Sequence, residues 1–185
     1  MKRSFFTILI VTLLLASSAF ADQGDLSFGL DTGQVGFSGT GMSAYGTNGF
    51  GFGGYFSYAA SDLFDLDFNM LYSPHSGSKA TYGTLALKFG MAFDQLIPYI
   101  TSGIGFYRNS INVAGVSGSA NAFGFNIGGG LDVDLGSFVR IGLLVRYHPV
   151  FGKGLSSGTA GVDDMWDALF RVGFLFKTGT QGGWD

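Results

Sequence analysis

Phe64-Asp65-Leu66-Asp67-Phe68-Asn69-Met70-Leu71-Tyr72 alternates strictly on one parity: every even-numbered residue is apolar or aromatic, while 65, 67 and 69 are Asp, Asp and Asn. Side chains alternate faces along a strand, so this segment predicts a ribbon with one greasy face and one wet face. The same pattern recurs in Val139-Arg140-Ile141-Gly142-Leu143-Leu144-Val145-Arg146-Tyr147 and in Phe170-Arg171-Val172-Gly173-Phe174-Leu175-Phe176. Hydrocarbon on one parity, with charge on the other, predicts an all-β chain folded as an eight-stranded antiparallel up-and-down transmembrane β-barrel.

The N-terminus supports export. Lys2 and Arg3 precede an apolar run from Phe5 to about Ala16, followed by Ser17-Ser18-Ala19-Phe20-Ala21. This is the layout of a secretory signal, with an A-x-A site that places cleavage between Ala21 and Asp22. The run falls short of the roughly 20 apolar residues that a spanning helix requires. The expected organisation is therefore a cleaved signal over 1–21 and one barrel domain over 22–185, its strands lying between about 24 and 176 and a short tail over 177–185. The absence of cysteine removes lipid-modified Cys, disulfides and thiolate metal sites from consideration.

Composition agrees with strands. The 32 glycines would each cost about 1 kcal/mol in helix interiors. Twenty phenylalanines supply a large apolar face. All thirteen acids are Asp, and the formal charge of −3 falls to −5 once Lys2 and Arg3 are removed, so nucleic acid is not an expected partner.

Alternation and turn residues place strands near 24–32, 49–59, 63–73, 81–92, 98–108, 121–133, 138–148 and 168–176. Short links at 60–62, 94–97 and 134–137 alternate with longer ones at about 33–48, 74–80, 109–120 and 149–167. Short periplasmic turns against longer extracellular loops produce this alternation, and an even strand number puts both termini in the periplasm. The outward set runs through residues such as Leu30, Phe52, Leu66, Met91, Ile104, Phe123, Leu143 and Val172. The inward set is Asp31, Asp65, Asp67, Asn69, Lys88, Asn126, Asp132, Arg140, Arg146, His148 and Arg171, interleaved with glycine. Arg108 breaks the parity at an expected strand end, from which it can reach headgroups. An inside-out alternative, a secreted barrel with an apolar cavity, would leave a soluble exterior made mostly of glycine with few charges, which a soluble surface does not favour.

Several stretches carry a resemblance. Pro98-Tyr99-Ile100-Thr101-Ser102-Gly103-Ile104-Gly105-Phe106, Phe123-Gly124-Phe125-Asn126-Ile127-Gly128-Gly129-Gly130-Leu131-Asp132 and Val145-Arg146-Tyr147 resemble strands of the small bacterial outer-membrane β-barrel proteins. That family includes the OmpA transmembrane domain, OmpX and OmpW. The resemblance implies the outer membrane of a diderm bacterium, contact with outer-membrane lipid and lipopolysaccharide, and delivery by the export and barrel-assembly machinery. It also implies a strand ending on an aromatic residue; here Phe176 closes the last strand, and Lys177 to Asp185 follow, with Trp184 next to last. These motifs specify a fold and carry no reaction.

The dense ionisable constellation is the lumen set of Asp31, Asp65, Asp67, Asp132, Lys88, Arg140, Arg146 and Arg171. Two readings compete: a charged path for small solutes, or cross-lumen pairing that plugs the barrel. Equal numbers of acids and bases favour pairing, because an unpaired charge in a confined interior is costly. Gaps left by glycine would admit water. His148, beside Pro149 at the expected rim, is the best catalytic candidate, since some outer-membrane barrels of this size modify lipid A with His, Ser and an acid. Ser156, Ser157 and Asp163 lie near it in sequence, but the His-x-Ser motif is missing and the chain has no Glu. His75 reads as a loop residue. Asp163, Asp164 and Asp167 form a small acidic cluster that lacks calcium-loop spacing and reads as a solvated turn. The glycine runs 51–54 and 128–130 sit inside strands and open no helix, so they are not phosphate loops.

The leading expectation is a non-enzymatic, monomeric barrel serving envelope integrity or surface contact through its loops, with no cofactor, no metal and an unspecified loop ligand. A narrow pore is the alternative, and a lipid A-modifying enzyme centred on His148 is the third reading.

Overall fold

The computed structural model describes residues 24–38, 47–61, 63–113, 116–151 and 163–177. The expected signal and its Ala21/Asp22 cleavage site, Ser156, Ser157 and Trp184 lie outside these residues.

The described chain is all β. Its strands are β1 (Leu26–Phe37), β2 (Asn48–Ser61), β3 (Phe64–Pro74), β4 (Ser78–Gly90), β5 (Leu96–Val113), β6 (Val116–Leu135), β7 (Val139–His148), β8 (Val150–Phe151) and β9 (Met165–Phe176). Each long strand pairs antiparallel with its sequence neighbour, and β1 pairs with β9 from Leu26↔Phe176 to Phe37↔Met165, which closes the sheet. The two residues of β8 continue β7 past Pro149. The register against β6 is the same on both sides of that proline, which has no N–H to give, and Phe125 N donates instead to the Pro149 carbonyl at 3.0 Å. Eight strands therefore cross the barrel wall.

One end of the barrel, the terminal end, carries the start of β1, the end of β9 and the turns at 91–95 and 136–138. The opposite, hairpin end carries the turn at 75–77 and the far ends of β5 and β6. In the tightest terminal-end turn, Phe93 and Leu96 exchange two backbone hydrogen bonds of 2.7 and 3.1 Å. Asp94 between them takes the left-handed conformation (φ 60°) that Asp tolerates better than most residues.

Several strands outrun the sequence expectation. The loop expected over 109–120 is a continuous ladder from Asn109↔Ala120 to Val113↔Val116, and β4 begins at Ser78 inside the loop expected over 74–80. Gly, Ser and Asn made these segments read as loops. Their inward parity nonetheless continues as Tyr107, Asn109, Ile111, Ala120 and Ala122, all buried, and the ladder satisfies the backbone beyond the apolar belt. Arg108 is accordingly not at a strand end: β5 runs five residues past it.

The faces fall as the alternation dictates. Outward Leu30 and Phe123 are 71% and 69% exposed, and they belong to an apolar belt that runs round the wall. A belt of that extent facing water would be an aggregation surface, so the inside-out alternative is excluded and the belt is the lipid face. Met91 is a correction: it was placed outward, but β4 stops at Gly90 and Met91 turns in, its N–H donating to the Pro98 carbonyl at 3.1 Å.

The core of the molecule is its lumen. At the hairpin end Val35, Phe37, Leu71, Ala80, Ile111, Met165 and Leu169 make a buried apolar layer. Lower down, inward tyrosines occupy the room that glycines leave. The Tyr55 ring lies against Gly29 and Gly173, and Tyr107 against Gly105 and Gly124. These rings fill the space beside those four glycines.

Candidate functional site

The lumen charges sit on six different strands, and strand stagger brings them into three tiers. Nearest the terminal end, Lys88 on β4 bonds Asp132 on β6 and lies 3.8 Å from Asp65 on β3. Its ammonium also sits 4.0 Å from the centre of the Tyr99 ring, a cation–π contact. Beside it Arg140 grips Asp134 through two bonds of 2.6 and 3.0 Å, one from Nε and one from Nη2. Asp134 was expected in a turn; it is the last polar inward partner of β6.

The middle tier is built on Arg171 of β9. Nε donates to Asp31 Oδ1 at 2.9 Å on neighbouring β1, while Nη1 and Nη2 reach Asp67 on β3 at 3.0 and 3.3 Å. The guanidinium plane lies 3.9 Å from the centre of the Tyr55 ring. One planar cation thus neutralises two acids and stacks on an aromatic face, which only arginine geometry permits. Asn69 donates to the same Asp31 and links this tier to the next.

The upper tier converges on Asp167. Arg146 Nη2 donates to it at 2.7 Å, Tyr82 Oη at 2.6 Å, and His148 Nε2 lies 3.0 Å away. Arg146 also donates to Thr84 Oγ1 at 3.0 Å and Asn69 Oδ1 at 3.1 Å. The other nitrogen of His148, Nδ1, is 2.9 Å from Tyr107 Oη. Every member is buried, and the apolar layer closes the space above.

All eight sequence-selected charges lie in this interior network, seven fully buried and Asp65 partly so. Asp167, the most connected acid, was missed: adjacency to Asp163 and Asp164 made it look like part of an exposed cluster. It is the third residue of β9 and faces in, whereas Asp164 stays at the rim and accepts from Tyr147 Oη at 2.7 Å and Val150 N at 3.0 Å. Its legible signal was parity, since 167, 169, 171, 173 and 175 all face inward. The tyrosines 55, 82, 99 and 107 carry the same parity signal.

His148 was expected at the rim and is instead wholly buried, with both ring nitrogens engaged by Asp167 and Tyr107. The His148–Asp167 pair is buried beside the Arg146 guanidinium, beneath the apolar layer. His75, in the turn after β3, packs at a tilt against Phe37 with 4.6 Å between ring centres, and burial holds its imidazole below the ordinary histidine value. Among the described residues no cluster of three potential metal-ligating His or Asp side chains occurs.

Residues 7–177 match the family described as outer membrane protein beta-barrel domain. No curated protein matches the chain. Among solved structures, the N-terminal barrel domain of OprF from Pseudomonas aeruginosa aligns with a TM-score of 0.64 at 16% identity, covering 83% of this chain and 98% of that one. OprG from the same organism aligns with a TM-score of 0.64 at 14% identity, over 85% and 98%. Ail, the attachment invasion locus protein of Yersinia pestis, aligns with a TM-score of 0.55 at 15% identity, over 83% and 99%. At these identities the likeness is one of fold.

Proposed function

The chain belongs to the outer membrane protein beta-barrel family, and from that premise we propose that it is a non-enzymatic, closed barrel that serves envelope integrity and surface contact through its hairpin end. It is an outer-membrane protein, and the hairpin end is read as the outside. Support for that orientation comes from the ladder of β5 and β6, which continues beyond the apolar belt at the hairpin end, while the links at 91–95 and 136–138 at the terminal end are tight turns among the described residues. Both termini are then periplasmic, the segment over 1–21 is a signal cleaved between Ala21 and Asp22, and the barrel works as a monomer delivered by the export and assembly machinery.

The observation that carries the closed reading is the double seal of the lumen. Arg171 locks Asp31 and Asp67 together at mid-barrel, and the Val35–Phe37–Met165 layer lies above the Asp167 tier. A narrow eight-stranded barrel has room for little more than its own side chains. Planar-bilayer recording of the refolded protein tests it: a folded barrel, verified by circular dichroism, is expected to stay silent. Discrete conductance steps that change on Arg146→Ala or Asp67→Ala would replace this reading with the pore.

A further inference from the structure

A groove of about 470 Å³ is cut into the outward wall where β3, β4 and β5 meet. Its cause is a missing side chain. Gly83 stands in register between Met70 and Phe106, and a Cβ added there would meet only Asn69 O and Met70 Cγ, each at 3.8 Å. Phe68 and Met70 wall one side, Ile104 and Phe106 the other, and Leu85 closes the bottom. Tyr107, Tyr82 and their neighbours face the lumen, so the groove and the charge network lie on opposite sides of one sheet.

The upper edge of the groove is cationic. Arg108 lines it, and Thr81 pairs with Arg108 one outward row above the Gly83–Phe106 pair. Lys79 takes the next outward position on β4 and is exposed, as is Arg108. The charge inventory sets these two apart. Of the described cations, Lys88, Arg140, Arg146 and Arg171 are consumed inside the lumen, and Lys177 follows the last strand at the terminal end. Only Lys79 and Arg108 remain, both outward, on neighbouring strands, and neither in an ion pair among the described residues. The row that holds Arg108 is also where the wall turns from apolar to polar, because the next outward residues are Ser110 and Asn112 on β5 and Asn121 and Ser119 on β6.

From Arg108 down to Ile104 the groove covers about 14 Å of strand, or about 10 Å along the membrane normal at the roughly 40° tilt of barrel strands, against about 15 Å of hydrocarbon in one leaflet. It therefore lies within one leaflet, with positive charge at the interface and hydrocarbon walls below. We infer that the groove over Gly83 holds an acyl chain of a phosphorylated membrane lipid, whose phosphate pairs with Arg108 and Lys79. The geometry of the site does not depend on barrel orientation. Only the source does: with the hairpin end outside, the reading of the preceding section, the ligand is a phosphorylated glycolipid of the outer leaflet. Long cationic side chains at a strand's water end suit a phosphate oxygen acceptor.

The test uses the refolded barrel in phosphatidylcholine nanodiscs doped with bis-phosphorylated lipid A or with its phosphate-free counterpart, and native mass spectrometry reads the retained lipid. The wild type should retain the phosphorylated probe preferentially. Replacing both cations (Lys79→Ala with Arg108→Ala) should abolish that preference, at about fivefold for each cation near the membrane surface. Gly83→Phe, or the smaller Gly83→Leu if the first fails to give the heat-modifiable folded band, should lower retention of both probes by filling the groove. Equal retention of the two probes by the wild type, or retention unaffected by a folded groove-filling variant, would overturn the site. Either result leaves the closed-lumen reading untouched, because that reading stands or falls on conductance.

Discussion

Arg146 and Asp167 face each other across the β7–β9 ladder, in register, with Nη2 and Oδ2 2.7 Å apart and both side chains sealed from solvent. Adjacent strands make the pair, but its environment comes from across the barrel. Tyr82 on β4 donates to the acid, and Asn69 on β3 and Thr84 on β4 accept from the base. The lumen is thus a core built largely of paired polar groups, in which the loss of one partner strands another.

Removing one partner should therefore cost far more than removing both. Arg146→Met or Asp167→Leu alone leaves an uncompensated buried charge and is expected to destabilise by about 3–5 kcal/mol, whereas the double variant should lose much less than the sum. Urea unfolding in lipid vesicles measures this. Additive losses would mean that the pair is not coupled.

The lipid face makes a second prediction. Leu143 is 58% exposed at mid-strand in β7, and Leu143→Arg there is expected to cost about 2–4 kcal/mol in a bilayer. Gly142→Ala beside it points inward, where a Cβ would run into the Asp132 carboxylate, so its cost should be independent of bilayer thickness. Refolding in lipids of different chain length separates the two.

Glycines should divide by face. At Gly29 a Cβ would meet the Val172 carbonyl and the Tyr55 ring, neither free to move, so Gly29→Ala should cost about 1–3 kcal/mol through overpacking. Gly83→Ala on the outer wall meets nothing closer than 3.8 Å and should be within about 0.5 kcal/mol of wild type. The same unfolding assay reads both, and equal losses would contradict the packing of Tyr55.

His75 should make the hairpin end sensitive to acid. Its folded value lies below the ordinary 6.5, chiefly through burial, so the open state binds the proton more readily. Closure at Phe37–His75 is accordingly complete above the ordinary value and weakens as pH falls through it. Protection of the 75–77 amides, taken as the intrinsic exchange rate at each pH divided by the observed rate, should fall between pH 7.5 and pH 5, and His75→Gln should flatten that change. Protection that is insensitive to pH would show that the ring is not held this way.

Much of the architecture was legible because it is local. Phe64–Tyr72 alternates with a period of two, and the pleat of a strand converts that directly into faces. Leu71 alone breaks the inward polar series of β3, and it is the residue that reaches the apolar layer above the charges. Strand ends were less legible, because a ladder continues as long as the neighbour pairs. Ser, Gly and Asn between 109 and 120 do not prevent that.

The sequence by itself determined the fold class, the lipid face and the interior placement of Asp31, Asp65, Asp67, Lys88, Asp132, Arg140, Arg146 and Arg171. Parity is a property of each strand alone. Only the tertiary structure decided the partners: that Arg171 takes two acids at once, that Asp167 leaves its neighbours Asp163 and Asp164 to join Arg146 and His148, and that Tyr55 and Tyr107 fill the glycine gaps. Those contacts connect residues up to 140 positions apart. They depend on the stagger and closure of the whole barrel, which no single strand encodes.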